Sequence, residues 1–276
     1  MADPTLLMEL QGSKSRFVAV TAVCAAMYAA ACYATSYIVS PWGMGQFRPA
    51  VVIPAVFAVV FGPYPAAVGA SVGTLIADSV KHGTLYIPSL TAAVPGNFLG
   101  FYMLGKMLEG RFSWRRFVVA SSLMLLVANA TTAFLYVLTK CALGVLVLPP
   151  SGIVALSLGL TMWWYATMLP FMLFVVPPII KAVSRAVPSA VPEDVRKATL
   201  TSEDKPLFTL ALAIPGAVFT CLGFLLTFTP LSTWIFFGKL ASIALKPTRI
   251  FLMVSGGGLL ALGLGFGLWT KAFSTV

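Results

Sequence analysis

Long runs of apolar residues, each close to the length of a membrane-spanning helix, alternate along this chain with short polar segments. A transmembrane α-helix needs about 20 predominantly apolar residues. The second and fourth runs are shorter than that, which requires tilt or local thinning of the bilayer. The eight predicted spans are residues 17–39, 49–62, 64–80, 95–108, 116–139, 152–180, 207–229 and 249–271. The predicted fold class is therefore an all-α integral membrane protein with about eight transmembrane helices.

Charged residues divide the chain into three parts. Residues 181–206 hold nine of the 26 charged residues and separate the first six predicted spans from the last two. We expect a six-helix unit over residues 1–180, a solvated cytoplasmic linker over 181–206 and a two-helix extension over 207–276. Within the extension, the short apolar segment 231–245 predicts an interfacial or re-entrant element.

Composition and charge agree with a membrane protein and indicate its orientation. Hydrophobic residues make up 59% of the chain and charged residues only 9%, whereas a soluble domain carries about 25% charged residues. The mean hydropathy is +0.95. With the N-terminus inside, 12 of the 18 lysines and arginines fall in cytoplasmic segments, the side on which positive residues accumulate. Both termini are therefore predicted to be cytoplasmic. The net charge of +10 is a topology signal and not a sign of nucleic-acid binding, because no basic run is interleaved with aromatic residues.

The chain lacks the residues that most intramembrane catalysis would require. Its single histidine excludes sites built on imidazole clusters. Seven of the eight acidic residues fall in predicted cytoplasmic segments, so Asp78 cannot belong to a paired-carboxylate site on the outer side. The four cysteines show no CxxC spacing. We expect no enzymatic activity, no metal site and no cofactor.

Polar residues recur at helical spacing in three of the predicted spans, and the predicted topology places nearly all of them in the outer half of the bundle. The three stripes are Ser71, Thr74, Asp78, Lys81 and His82; Asn129, Thr132, Tyr136 and Lys140; and Ser157, Thr161 and Trp164. Asn97 begins the fourth span on the same side, and the outer loop 40–48 adds Trp42, Gln46 and Arg48. A polar face within a membrane must contact something other than lipid. The stripes therefore predict an outward-facing small-molecule pocket with aromatic walls.

Other interpretations of these stripes stay open. Asp78 can pair locally with Lys81 or His82, and asparagine or threonine can hydrogen-bond a neighbouring helix. The chain would then be a structural or assembly subunit of a membrane complex. A stand-alone secondary transporter is a further alternative. If the pocket binds a solute, its aromatic walls and cations favour a planar heterocycle that carries an acidic group.

Two strips of small residues predict close helix contacts. In the third predicted helix, Gly69 and Gly73 form a GxxxG pattern, which lets a second helix approach closely. In the first helix, alanines recur every four residues, at Ala22, Ala26, Ala30 and Ala34. This alanine strip predicts either packing within the bundle or a docking face for a separate subunit.

These segments together resemble the substrate-binding S component of energy-coupling factor (ECF) vitamin transporters. The stretch FRPAVVIPAVFAVVFGPYPAAVGASVGTLIADS (47–79) resembles the second and third helices of that family, and GNFLGFYMLG (96–105) resembles its fourth. The alanine-rich first helix is a further similarity. The resemblance covers about residues 17–180, and the two helices of the extension depart from the family's pattern.

The resemblance implies a function in vitamin uptake. S components bind a vitamin or precursor on the outer side and deliver it by toppling against a transmembrane T component, driven by two ABC-type ATPases. The family's docking helix carries small residues every four positions, which here correspond to Ala22, Ala26, Ala30 and Ala34. Its binding site lies on the first and third outer loops and on helices four to six. The substrate-binding residues implied in this chain are Gln46, Arg48, Asp78, Lys81, His82, Tyr86, Asn97, Asn129, Tyr136 and Trp164.

Overall fold

The computed structural model is built from helices and describes residues 4–201, 203–232 and 238–272. Its helices are α1 (Pro4–Thr35), α2 (Val52–Phe61), α3 (Pro63–His82), α4 (Val94–Leu108), α5 (Trp114–Ala142), α6 (Pro150–Phe174), α7 (Val176–Ala186), α8 (Glu193–Lys197), α9 (Lys205–Phe228) and α10 (Gly238–Ala272). Short 3-10 turns occupy Pro49–Val51 and Pro188–Ala190, and a π-helical turn, Ser89–Ala93, leads into α4. The described residues contain no strand beyond an isolated bridge between Val39 and Gln46.

The predicted all-α membrane fold is confirmed, and every predicted span falls on a helix. Five helical stretches are long and apolar enough, by length and composition, to cross a membrane: Lys14–Thr35, Trp114–Ala142, Pro150–Ala186, Lys205–Phe228 and Ala244–Trp269. Helices α2 and α4 are shorter than these, and α3 carries more polar residues. A total of eight crossings therefore stays a prediction.

The first six helices form one bundle in which α3 packs between α1 and α4, α4 packs on α5, and α5 packs on α6. The contact between α3 and α1 depends on the predicted glycine strip. A Cβ atom at Gly69 would lie 2.7 Å from Cβ of Cys24, and one at Gly73 would lie 2.7 Å from the backbone oxygen of Ala25. No side chain fits at either position, so the close approach predicted from GxxxG is confirmed.

Glycines at both ends of α3 define where this helix starts and stops. Gly62 precedes it with φ +91°, and Pro63 follows in the first helical turn, a position that suits proline. Gly83 ends the helix in the left-handed conformation with φ +70°, which residues with a Cβ rarely adopt. Asp78 and His82 consequently lie in the last two turns of a helix of defined length, at one end of the bundle.

The last two long helices, α9 and α10, pack antiparallel along most of their length and contact α5 and α6. A Cβ atom at Gly256 would lie 2.5 Å from the backbone nitrogen of Thr220, so this glycine allows the two helices to pack closely. Residues 238–245 belong to α10, so this part of segment 231–245 is continuous with the last long helix, and its interfacial or re-entrant placement stays a prediction. Residues 233–237 of that segment lie outside the described residues.

The charged segment 181–206 is largely exposed, but it is folded onto the bundle. Helix α7 follows α6 almost directly. The Asp194 carboxylate accepts a hydrogen bond from the backbone nitrogen of Phe112 at 2.8 Å, and Trp114 Nε1 donates to the backbone oxygen of Ala198 at 3.4 Å. The segment is thus held against the connection between α4 and α5. The division of the chain into three parts stays a prediction.

The orientation of the chain can be tested by cysteine labelling in intact cells. With Cys141 and Cys221 replaced by alanine, we expect a membrane-impermeant maleimide to label Thr84→Cys, which follows α3, but not Glu203→Cys. The reason is the positive-inside bias of the lysines and arginines; both positions are exposed. Labelling of both after permeabilisation is the control. Labelling of Glu203→Cys in intact cells would contradict cytoplasmic termini.

Candidate functional site

A cavity of about 300 Å³ opens at the end of the bundle where α3 and α5 end and α4 begins. Its walls come from the loop 36–48 that follows α1, from α3 and the segment 83–93, and from α4, α5 and α6. All ten residues predicted to bind substrate line this one cavity: Gln46, Arg48, Asp78, Lys81, His82, Tyr86, Asn97, Asn129, Tyr136 and Trp164. The cavity thus brings together most of the polar stripes of α3 and α5 with Trp164 of α6, whereas Ser71, Ser157 and Thr161 are not among its lining residues. The role of the lining residues in binding stays a prediction.

A buried ion pair joins loop 36–48 to α3 inside the cavity. Arg48 Nη2 lies 2.5 Å from Asp78 Oδ1, and the two side chains are 10% and 6% exposed. The guanidinium also donates from Nη1 to Thr74 Oγ1 at 2.9 Å and from Nη2 to Gln46 Oε1 at 3.0 Å. A buried charge is costly unless it is paired and hydrogen-bonded. This network meets that requirement and holds the arginine in one orientation.

Lys81 and His82 lie at the cavity mouth, and neither forms an ion pair with Asp78. The alternative interpretation, local pairing of Asp78, is wrong, because the ion-pair partner of its carboxylate is an arginine from another segment. The His82 ring stacks on Tyr86, with centroids 3.7 Å apart, and its Nδ1 lies 2.7 Å from the backbone oxygen of Asp78. Lys81 donates to the backbone oxygen of Ser36. The sole histidine therefore orients an aromatic wall of the cavity.

The wall formed by α5 and the segment 83–93 carries two tyrosine rings and one cation. The hydroxyls of Tyr86 and Tyr136 are 3.4 Å apart, and Lys140 Nζ lies 5.5 Å from the centroid of each ring, within cation–π range. The lining as a whole holds three cations and one carboxylate, a net charge of +2 with the histidine neutral. No group of three metal-ligating side chains occurs among the described residues. The site suits an organic solute with polar or anionic substituents.

Asn129 on α5 and Trp164 on α6 both line the cavity, but they differ in the strength of the hydrogen bonds that their side chains form. The hydrogen bond recorded for the Asn129 side chain among the described residues runs from Nδ2 to the Met168 sulfur at 3.8 Å, and a thioether is a weak acceptor. Trp164 Nε1 donates to the backbone oxygen of Gln46 at 2.9 Å. Asn129 is thus available to a ligand, whereas Trp164 both lines the cavity and anchors loop 36–48.

Asn97, at the start of α4, is linked to a cavity residue that sequence reasoning missed. Its Oδ1 accepts a hydrogen bond from the Tyr28 hydroxyl at 3.2 Å, and its Nδ2 donates to the backbone oxygen of Ala93 at 2.8 Å. Tyr28 is buried on α1 and lines the cavity. The four alanines of the alanine strip lie on the opposite face of α1. Nothing in the sequence therefore indicated that Tyr28 lines a cavity.

Ser89 is a second missed residue, on the π-helical turn before α4. Its hydroxyl is buried, lines the cavity and has no hydrogen-bond partner among the described residues. Burial of an unpaired hydroxyl costs free energy, and π-helical turns are frequent at functional sites. Ser89 is therefore a candidate ligand contact. Only the flanking Pro88 and Pro95 indicated an irregular backbone here.

The alanine strip of α1 lies on the outside of the bundle. Ala22, Ala26, Ala30 and Ala34 are all exposed. The buried face of the helix is formed instead by Cys24, Ala25, Tyr28, Ala29 and Cys32. The interpretation of the strip as packing within the bundle is therefore wrong, and docking of a separate subunit stays a prediction.

Comparison with known proteins gives a family match over the part of the chain that holds the cavity. A family model described as ECF-type riboflavin transporter, S component, matches residues 13–173. This segment covers nearly all of helices α1 to α6, more than half of the chain, and every cavity-lining residue. Neither the curated proteins nor the solved structures include a significant match. Helices α7 to α10 lie outside the matched segment.

Proposed function

The chain belongs to the family of ECF-type riboflavin transporter S components, and on that premise we propose that its cavity binds riboflavin or a closely related flavin. Membership makes it a multi-pass membrane protein of a vitamin transporter family. The proposal goes further in three respects: the solute is a flavin, it is bound from the outer side, and it is delivered inward with a T component and two ABC-type ATPases.

The observation that carries this proposal is the convergence of aromatic rings and fixed polar groups on one cavity. Small-molecule sites are concave and place a few oriented polar groups among apolar walls. Here Tyr86, Tyr136 and Trp164 supply ring faces, while the Asn129 amide and the Ser89 hydroxyl have hydrogen-bonding capacity that no strong partner takes up among the described residues. A flavin offers a flat ring system with polar edges and a hydroxylated side chain, which suits this combination.

The charges at the mouth support a solute with polar or acidic substituents. Neither Lys81 nor Lys140 pairs with a carboxylate in the part of the chain that the structure describes. Lys140 contacts tyrosine rings instead. Both ammonium groups can therefore turn to hydroxyl or acidic groups of a ligand at little cost, because no ion pair has to be broken.

The proposed delivery route uses the exposed alanine strip of α1. Helices α9 and α10 pack on α5 and α6 and leave the four alanines exposed. The extension therefore does not obstruct the surface that the family uses for docking. A T component whose own small residues pack against this strip is the proposed partner.

Titration of the purified protein with riboflavin tests the proposed solute. We expect quenching of flavin fluorescence on binding, and Asn129→Ala should weaken the affinity by about 5- to 150-fold, the effect of losing a buried hydrogen bond of about 1–3 kcal/mol. Trp164→Ala should weaken it at least as much, because it removes a cavity wall and the anchor of loop 36–48. Ser122→Ala, on α5 outside the cavity, is the matched control.

Two outcomes of the titration would contradict the proposal. Absence of any riboflavin binding by folded wild-type protein would exclude this vitamin as the solute. Wild-type affinity in both Asn129→Ala and Trp164→Ala would show that the polar stripes only join helices, as in a structural subunit.

A further inference from the structure

We propose that the C-terminal helices α9 and α10 hold loop 36–48 in place over the cavity through a contact between Trp42 and α10. Trp42 and Thr248 would then be positioning residues for the entry and release of the solute. The inference rests on the proposed binding function of the cavity, and it assigns a role to the part of the chain that lies outside the family match.

Loop 36–48 is a hairpin that can move as one piece. Two backbone hydrogen bonds close it, from Ser40 N to Gly45 O and from Phe47 N to Ile38 O, both at 2.8 Å. Trp42 lies near the tip of the hairpin, beyond both bonds. Because these bonds tie the two arms together, a displacement of the tip also moves the residues that line the cavity.

The base of the loop is anchored within the six-helix bundle. The Gln46 backbone oxygen accepts a hydrogen bond from Trp164, the Phe47 ring lies 5.7 Å from the ring of Phe171, and Arg48 is buried in its ion pair. These three anchors lie in the second arm of the hairpin, at residues 46–48. Gly45 packs closely against Leu160 and Trp164 of α6, so the position of Trp42 at the tip depends on its own contacts beyond this base.

The tip is held by a contact with α10. Trp42 Nε1 donates to Thr248 Oγ1 at 3.1 Å, and this hydroxyl itself donates to the backbone oxygen of Ala244 at 2.7 Å. The Thr248 hydroxyl thus donates its proton within α10, and its oxygen accepts the hydrogen bond from the indole N–H of Trp42. The Trp42 ring also packs edge-on against Phe251, with centroids 5.5 Å apart. Gly159 of α6 makes room for the ring, since a Cβ there would lie 3.1 Å from it.

This contact gives α10 control over the position of the loop. An indole N–H in apolar surroundings pays a desolvation penalty if it is unpaired, and Thr248 supplies its partner. The loop residues Met44, Gly45 and Gln46, close to Trp42 in the same hairpin, line the cavity. Loss of the Thr248 hydroxyl should therefore favour loop positions that open the cavity.

Loop opening can be measured without any ligand. The probe is Met44→Cys in a background of Cys141→Ala and Cys221→Ala, and the readout is its rate of reaction with a maleimide in detergent. We expect Thr248→Val to raise this rate by about 2- to 10-fold, the range of one net hydrogen bond. Thr227→Val, whose hydroxyl donates to the backbone of Gly223 on α9, is the matched control and should leave the rate unchanged.

A parallel measurement uses the natural Met44 and follows flavin release. Thr248→Val and Trp42→Phe should each raise the flavin dissociation rate by about 2- to 10-fold, and the double variant should add little, because both changes remove the same bond.

Unchanged labelling in Thr248→Val would overturn the inference, and if that variant does not fold, unchanged labelling in Trp42→Phe would do so. Faster labelling in a protein that binds no flavin would support the loop anchor while the proposed function fails.

Discussion

Replacing Asp78 by alanine should lower the free energy of unfolding by about 3–5 kcal/mol, because the change leaves a buried guanidinium without its counter-charge. Arg48 and Asp78 are both buried, and their charged atoms are 2.5 Å apart. The hydrogen bonds to Thr74 and Gln46 satisfy donors but cannot neutralise the charge. Thermal unfolding of the detergent-solubilised protein measures the loss, which should be accompanied by loss of flavin binding.

A paired substitution separates stability from binding at this site. Apolar residues of similar volume in place of a buried ion pair are often neutral for stability or stabilising, so Arg48→Met combined with Asp78→Leu should regain most of the lost stability without regaining flavin binding. Glu109→Ala is the control, since its ion pair with Lys106 is exposed to solvent and should contribute little to stability. An Asp78→Ala protein that melts like the wild type would contradict the importance of this pair.

Ala26→Trp should abolish transport while leaving flavin binding and the folded protein intact. Ala26 is exposed in the alanine strip, so an indole there can extend outward without displacing a buried side chain. It would, however, fill the shallow groove in which a T component is proposed to pack, and close-packed interfaces tolerate added volume poorly. Flavin uptake by cells and flavin titration of the purified variant give the two readouts.

A tryptophan on another exposed helix face provides the control for this variant. Leu262 is exposed on α10, and Leu262→Trp should transport normally, since the proposed docking surface lies on α1. Normal transport by Ala26→Trp would contradict docking through the strip. Joint loss of transport in both variants would instead indicate a general effect of an added indole.

The contacts between cavity residues from different segments could not be predicted from the sequence. The helical spacing of Thr74, Asp78 and Lys81 was enough to place them on one face of α3, but it could not identify the partner of the carboxylate and left only local pairing as an alternative. The arginine that pairs with Asp78 precedes it by 30 residues, in a loop whose path no periodicity describes. Similarly, the bond between Trp42 and Thr248 joins residues 206 positions apart, and nothing in either segment indicates the other.

The helices, their polar faces and most of the residues gathered at one end of the bundle could be predicted from the sequence alone. This was possible because lipid makes every exposed polar group costly, so that any polar stripe in an apolar helix must face protein or solute. The partner of each polar group depends on the tertiary structure, as with the bond from Tyr28 to Asn97 and the Ser89 hydroxyl, which has no hydrogen-bond partner among the described residues. Periodicity defines the direction of a side chain around its own helix, whereas distances between segments depend on how all the helices and loops pack together.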